Sequence, residues 1–143
     1  MLPDKGIISF FANVDYFLGD MDATGEGMGE WSANSFRVLY SRDMDRLRTH
    51  KIVDEEGRDC AIPAEPLHVP QDEVEESRVL SQPTCFVDEI ENYYPGYITL
   101  LQLDSSDRHG LRFYDGGCLF FFISPEDLRE KKFEKAECAM FSM

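Results

Sequence analysis

Apolar residues fall in short runs bounded by glycine, proline or polar turns, and the spacing inside each run predicts its element. Residues 7–12 (IISFFA) follow Lys5-Gly6 and read as a strand after a turn. Residues 19–30 (GDMDATGEGMGE) carry four glycines and no period, which predicts a loop. Residues 36–40 (FRVLY) alternate and are rich in β-formers, a second strand. In 41–49, Met44, Leu47 and Arg48 are spaced to cover one helical face, so a short helix is expected. Residues 54–80, with Pro63, Pro66 and Pro70 among charges, read as loops and short extended pieces.

The second half is more regular. Thr84 is placed to cap a helix running to about Tyr93, with Phe86, Ile90 and Tyr93 on one side and Pro95-Gly96 as its stop. Residues 97–103 (YITLLQL) form a strand, 104–110 a polar turn and 111–114 a short strand. In 118–123, Cys118, Phe120 and Phe122 fall on one face and Leu119, Phe121 and Ile123 on the other. Both faces are apolar, as in a strand covered on both sides. Ser124-Pro125-Glu126-Asp127 combines an N-cap, a first-turn proline and first-turn acids. Ile123 and Leu128 flank that cap at staple positions, opening a helix to about residue 132. Residues 136–141 close the chain as a strand. The expected fold is α+β, mostly antiparallel sheet with a few short helices, in a single domain over 1–143.

Gly6-Ile7-Ile8-Ser9-Phe10-Phe11 echoes Gly117-Cys118-Leu119-Phe120-Phe121-Phe122, and each leads through a connection to a strand ending in aromatic-Ser, Tyr40-Ser41 or Phe141-Ser142. This is the pattern of a duplicated strand–connection–strand unit, with a first repeat at about 3–42, a linker region at about 50–95 and a second repeat at about 97–143. The second copy is preceded by the strand at 97–103. The first has only Met1-Leu2-Pro3-Asp4 before it. Strand 7–11 is therefore expected to present an apolar edge that completes its sheet with another molecule, or to belong to a shortened form of a longer chain. Self-association through that edge is the corresponding expectation.

LLQLDSSD (100–107) followed by GGCLFFFISPEDLREKKF (116–133) resembles the C-terminal signature of the YwqG-like proteins, a family of unknown function. That signature pairs an L-L-Q-I-D-S-x-D strand and turn with G-x-L-x-F-F-I-x-x-E-D-L and a closing basic-x-F. LPDKGIISFF (2–11) and FRVLY (36–40) look like the family's earlier block and its V-L-Y strand. The chain departs from the family in having Phe113-Tyr114-Asp115-Gly116 where a tryptophan-glycine-aspartate stretch is usual, and in lacking an upstream glutamine-bearing strand. The resemblance implies an α+β fold on antiparallel sheet. It implies no agreed activity, so no catalytic residue is carried over.

Charge narrows the function classes. There are 28 acids against 14 bases, a net charge of −14. No base occurs between Lys5 and Arg37, and residues 71–91 hold seven acids and Arg78 alone among bases. Such a surface repels phosphate backbones and anionic membranes, which argues against nucleic-acid and membrane partners and leaves a basic protein or a metal cation. Residues 1–20 show no basic start followed by an apolar stretch, so the cytoplasm is the expected compartment. Cys60, Cys85, Cys118 and Cys138 have no C-x-x-C spacing and no nearby histidine, the pattern of buried free thiols rather than a zinc site.

Two clusters are candidates for chemistry. Asp20, Asp22, Thr24 and Glu26, with Gly25, match the first seven positions of a calcium loop, but Trp31 stands where the bidentate glutamate belongs. An acidic loop without an ion is the better fit, so no cofactor is expected, with calcium as the alternative. Asp104, Asp107, His109 and Asp115 surround a turn beside the most apolar strand, a set able to bind a ligand or metal, although such turns commonly hold Asp and Ser for their own backbone bonds. His50 and His68 read as surface residues. No nucleophile elbow, Walker loop, dinucleotide fingerprint or HExxH occurs. The leading expectation is a non-enzymatic acidic interaction module, immunity-like or inhibitory toward a basic partner. The alternative is a small-ligand or metal-binding enzyme with its site around Asp104–Asp115.

Overall fold

The computed structural model describes residues 2–59, 78–79, 82–107 and 110–143. The linker residues 60–77 with their prolines, and with them Cys60, His68 and His109, lie outside the described residues. Among the described residues, seven strands and two α-helices are seen in chain order: β1 (Ile7–Ala12), β2 (Gly29–Glu30), β3 (Phe36–Ser41), β4 (Arg78–Val79), α1 (Val87–Tyr93), β5 (Ile98–Asp104), β6 (Cys118–Ile123), α2 (Pro125–Glu130) and β7 (Glu137–Phe141). They form an α+β fold with two antiparallel sheets, a β1–β3 ribbon and a five-stranded sheet in the order β2-β7-β6-β5-β4.

β6 lies in the middle of the larger sheet, and all six of its side chains are buried. Its alternation divides the core in two. Leu119, Phe121 and Ile123 join Leu101, Cys138 and Met140 on one face, which the ribbon covers through Ile8, Phe10, Phe36 and Tyr40. The Phe10 and Phe121 rings meet edge to face at 5.1 Å. Cys118, Phe120 and Phe122 join Ala139 and Phe141 on the other face, beneath Ile90 and Tyr94. Full burial of each such phenylalanine contributes about 1.5–3 kcal/mol, so this strand is the main anchor of the molecule.

The two glycine-led units have matching geometry. In both, the strand after the glycine pairs antiparallel with the strand beyond the connection, as Ile7 opposite Ser41 and Cys118 opposite Phe141. A Cβ on Gly6 would lie 2.5 Å from the Ser41 carbonyl oxygen, and one on Gly117 would lie 2.6 Å from that of Phe141. Each glycine lets the end of its partner strand close over it. The register differs by one residue from the aromatic-Ser alignment, since Ser41 corresponds to Phe141 rather than to Ser142.

Four local expectations are corrected. Residues 41–49 form only a 3-10 turn, Met44–Arg46, capped by the Asp43 carboxylate; Met44 and Leu47 are exposed, so no apolar surface holds a longer helix. The loop at 19–30 ends in β2, which pairs with Met140 and Ala139 of β7. Residues 111–114 are not a strand, because their backbone serves a compact turn. Phe113 N donates to Ser105 Oγ, Arg112 N to Phe17 O, and Gly117 N to Phe113 O. Thr84 does not cap α1; Phe86 occupies the cap position with φ 55° and no side-chain bond. The cap of α2 is as expected, with Ser124 Oγ accepting from Asp127 N at 3.1 Å.

Candidate functional site

The hairpin register builds a polar cluster into the α1 side of the sheet. Asp104 stands directly opposite Cys118, and Gln102 opposite Phe120, so both polar residues share the face of Cys118. Gln102 is completely buried, which obliges its amide to find partners. Its Nε2 donates to Asp104 Oδ1 at 2.7 Å and to Thr84 Oγ1 at 2.9 Å, while its Oε1 accepts from Thr84 N at 3.2 Å. This fixes the segment before α1 and explains why Thr84 turns away from the helix. It also brings half-buried Cys85 over the sheet, its Sγ 2.9 Å from Cys118 Sγ. The hydrogen bond with Cys118 holds the Cys85 thiol below its ordinary value, with Thr84 adding in the same direction against burial and Asp104. Cys118 is pushed up, first by that same hydrogen bond, then by burial and Asp104. The ligand atoms of Cys85, Asp104 and Cys118 all lie within 4.8 Å of one another, the one group of three metal-capable side chains among the described residues.

A second feature lies further along the same face. β2, α1 and the end of β7 border a pocket of about 520 Å³ lined by Glu30, Glu89, Glu137, Tyr93, Tyr94 and Phe141, with no base among the described lining residues. Tyr97 Oη donates to Glu137 Oε1 at 2.8 Å. The Tyr93 and Phe141 rings stack at 6.3 Å, and Tyr93 is 73% exposed. Burial pushes the Tyr94 phenol up, and the nearby Glu30 and Glu137 carboxylates push the same way. Burial disfavours either sign of charge, whereas the two carboxylates disfavour a phenolate and favour a cation.

The residues singled out in the sequence are dispersed differently. Asp104 belongs to the cysteine cluster. Asp107 is exposed and paired with Arg112 at 2.8 Å, and Asp115 is exposed in the turn beyond Phe113. His109 is outside the described residues. In the acidic loop, Asp20 Oδ1 accepts from Asp22 N at 3.1 Å, and the Thr24 carbonyl accepts from Asn13 Nδ2 at 3.0 Å. Glu26 accepts from Ser32 Oγ at 2.6 Å and from Ser35 Oγ. The side chain of Asp20 thus serves the loop itself, and that of Glu26 ties the loop to residues 32–35. Cys118 and Cys138 are buried free thiols, whereas Cys85 is only half-buried. The pairing of Asp104 with Cys118 could have been read from the hairpin register. Cys85 and the three pocket glutamates come from separated segments and carry no motif.

No curated protein matches the chain. The profile of one family, described as a domain of unknown function, DUF1963, matches residues 66–140, more than half of the sequence, and so takes in α1, the hairpin with the cysteine cluster and nearly all of β7. The chain belongs to the DUF1963 family.

Proposed function

We propose that the protein is a non-enzymatic acidic interaction module, immunity-like or inhibitory in role, which captures a lysine or arginine side chain of a basic protein partner. The observation that carries this reading is the pocket wall, where Glu30, Glu89 and Glu137 meet Tyr93, Tyr94 and Phe141 with no base among the described lining residues. Carboxylates attract the cation, and the ring faces add about 0.5–2 kcal/mol of cation–π attraction. Its volume, about 520 Å³, is in the range of sites that enclose a side chain or small ligand. The net charge of −14 steers a basic partner toward the surface and makes the encounter sensitive to salt.

Calorimetric titration with a short oligolysine peptide tests this. The pocket variant E89Q/Y93A is expected to weaken binding by about tenfold, equivalent to roughly 1.4 kcal/mol. D20N/D22N removes more charge at the start of the acidic loop, at residues that do not line the pocket, and is expected to weaken it far less. Equal losses in the two variants would mean diffuse attraction and would remove the pocket from the account.

Within the family, we propose that the chain is a YwqG-like member, supported by LLQLDSSD at 100–107 and GGCLFFFISPEDLREKKF at 116–133. An origin of the two glycine-led units by internal duplication is supported by the equivalent positions of Gly6 and Gly117. The cytoplasm is the proposed compartment, where reduced thiols are the rule.

A further inference from the structure

Cys85, Asp104 and Cys118 come from a connection and two strands, yet present three donor atoms within 4.8 Å of one another. A tetrahedral zinc ion, with Zn–S near 2.3 Å and Zn–O near 2.0–2.2 Å, separates its ligand atoms by about 3.3–3.8 Å. The two sulfurs stand 2.9 Å apart, so opening them by roughly 1 Å, with the carboxylate oxygen brought to the same spacing, gives one face of such a tetrahedron. The donor chemistry selects the metal class. Two sulfurs and one carboxylate suit a thiophilic divalent ion and not calcium or magnesium, which want all-oxygen sets.

The surroundings are those of a supported site. Gln102 is completely buried and holds Asp104 Oδ1 at 2.7 Å, while its other bonds fix Thr84, the neighbour of Cys85. Such outer hydrogen bonds orient first ligands and narrow the geometries they sample. Cys85 and Asp104 are only half-buried, and a water molecule would supply the fourth ligand. We propose that Cys85, Cys118 and Asp104 form a three-ligand site for a thiophilic divalent cation, zinc being the ion that fits. The bound ion clips the segment before α1 to the β5–β6 hairpin. The spacing of the four cysteines argues against zinc in the sequence because it registers neighbours along the chain, whereas this site is assembled across strands.

The test uses the reduced full-length protein and Co²⁺ as a spectroscopic probe. One equivalent is expected to give thiolate-to-cobalt charge-transfer absorption with the visible bands of tetrahedral cobalt, all removed by added Zn²⁺. C85S and D104N, at half-buried positions and checked for folding by circular dichroism, are each expected to weaken binding at least about tenfold. The C60S/C138A variant, which leaves Cys85 and Cys118 as the only thiols, is expected to keep the bands. Zinc should raise the melting temperature of the wild type and leave C85S unchanged. Absence of the charge-transfer band in folded, reduced protein would overturn the proposal, as would bands that survive C85S.

Discussion

Glu26 shows how one side chain can imitate a metal ligand and serve another purpose. It occupies the seventh position of the calcium-like pattern, but its carboxylate accepts from Ser32 and Ser35, tying the glycine-rich loop to the turn before β3. Those bonds, Ser32 first and Ser35 next, hold its carboxyl below the ordinary value of 4.5. A lowered folded-state pKa means that the tie is fully present above the ordinary carboxyl range and is lost as pH falls through the lowered value. Trp31, the single tryptophan, reports on it, because its Nε1 donates to Gly27 O at 3.1 Å and its ring is buried near Phe17. Acid titration of Trp31 fluorescence is expected to show a transition below pH 4.5 in the wild type that E26Q lacks. The same transition in E26Q would assign it to other carboxyl groups.

At the scale of elements, the two glycines that open β1 and β6 are fixed by backbone contact. A Cβ on Gly117 would lie 2.6 Å from the carbonyl oxygens of both Phe113, in the turn, and Phe141, at the end of β7, and Gly117 is itself buried. G117A is therefore expected to lower stability by about 1–3 kcal/mol, read as a shifted urea midpoint with an unchanged slope. G6A meets Ser41 O at 2.5 Å and adds left-handed strain at φ 108°, yet Gly6 is exposed at the ribbon's end. Its effect should loosen β1–β3 with a smaller global loss. A G117A protein as stable as the wild type would show that the backbone relaxes around the added methyl. These glycines, the alternating strands and the Ser124-Pro125 helix start were legible because each is a local pattern with a local cause. β2 was not, since two residues of a glycine-rich loop become a strand only because β7 offers them an edge. Nor was the path of Thr84-Cys85, which depends on the partners that buried Gln102 requires. The candidate site was legible in one member, Asp104, because a register joins strands that the sequence shows separately.

The whole molecule sets two tendencies against each other. With a net charge of −14, copies of the chain repel one another. The outer face of the ribbon works the other way, for Ile7, Phe11 and Leu39 are exposed there at 37%, 56% and 44%, and β1 has β3 as its single partner among the described residues. We propose that β1 pairs edge to edge with β1 of a second copy, which extends the ribbon and sets Ile7 and Phe11 beside their counterparts on the joined outer face. Salt then acts in opposite directions on the two proposed associations. Screening relieves the repulsion between like-charged copies and strengthens the dimer, while it weakens capture of a basic peptide at the glutamate pocket. Sedimentation velocity over a range of protein and salt concentrations is expected to show a monomer–dimer equilibrium that shifts toward dimer as salt rises. F11K, which places a charge on the exposed strand, should abolish the dimer without changing oligolysine binding. A monomer at high protein and high salt would exclude edge pairing. A dimer that dissociates as salt rises would mean that opposite charges hold the copies together, and the contact would then have to be sought among the few basic residues rather than along β1.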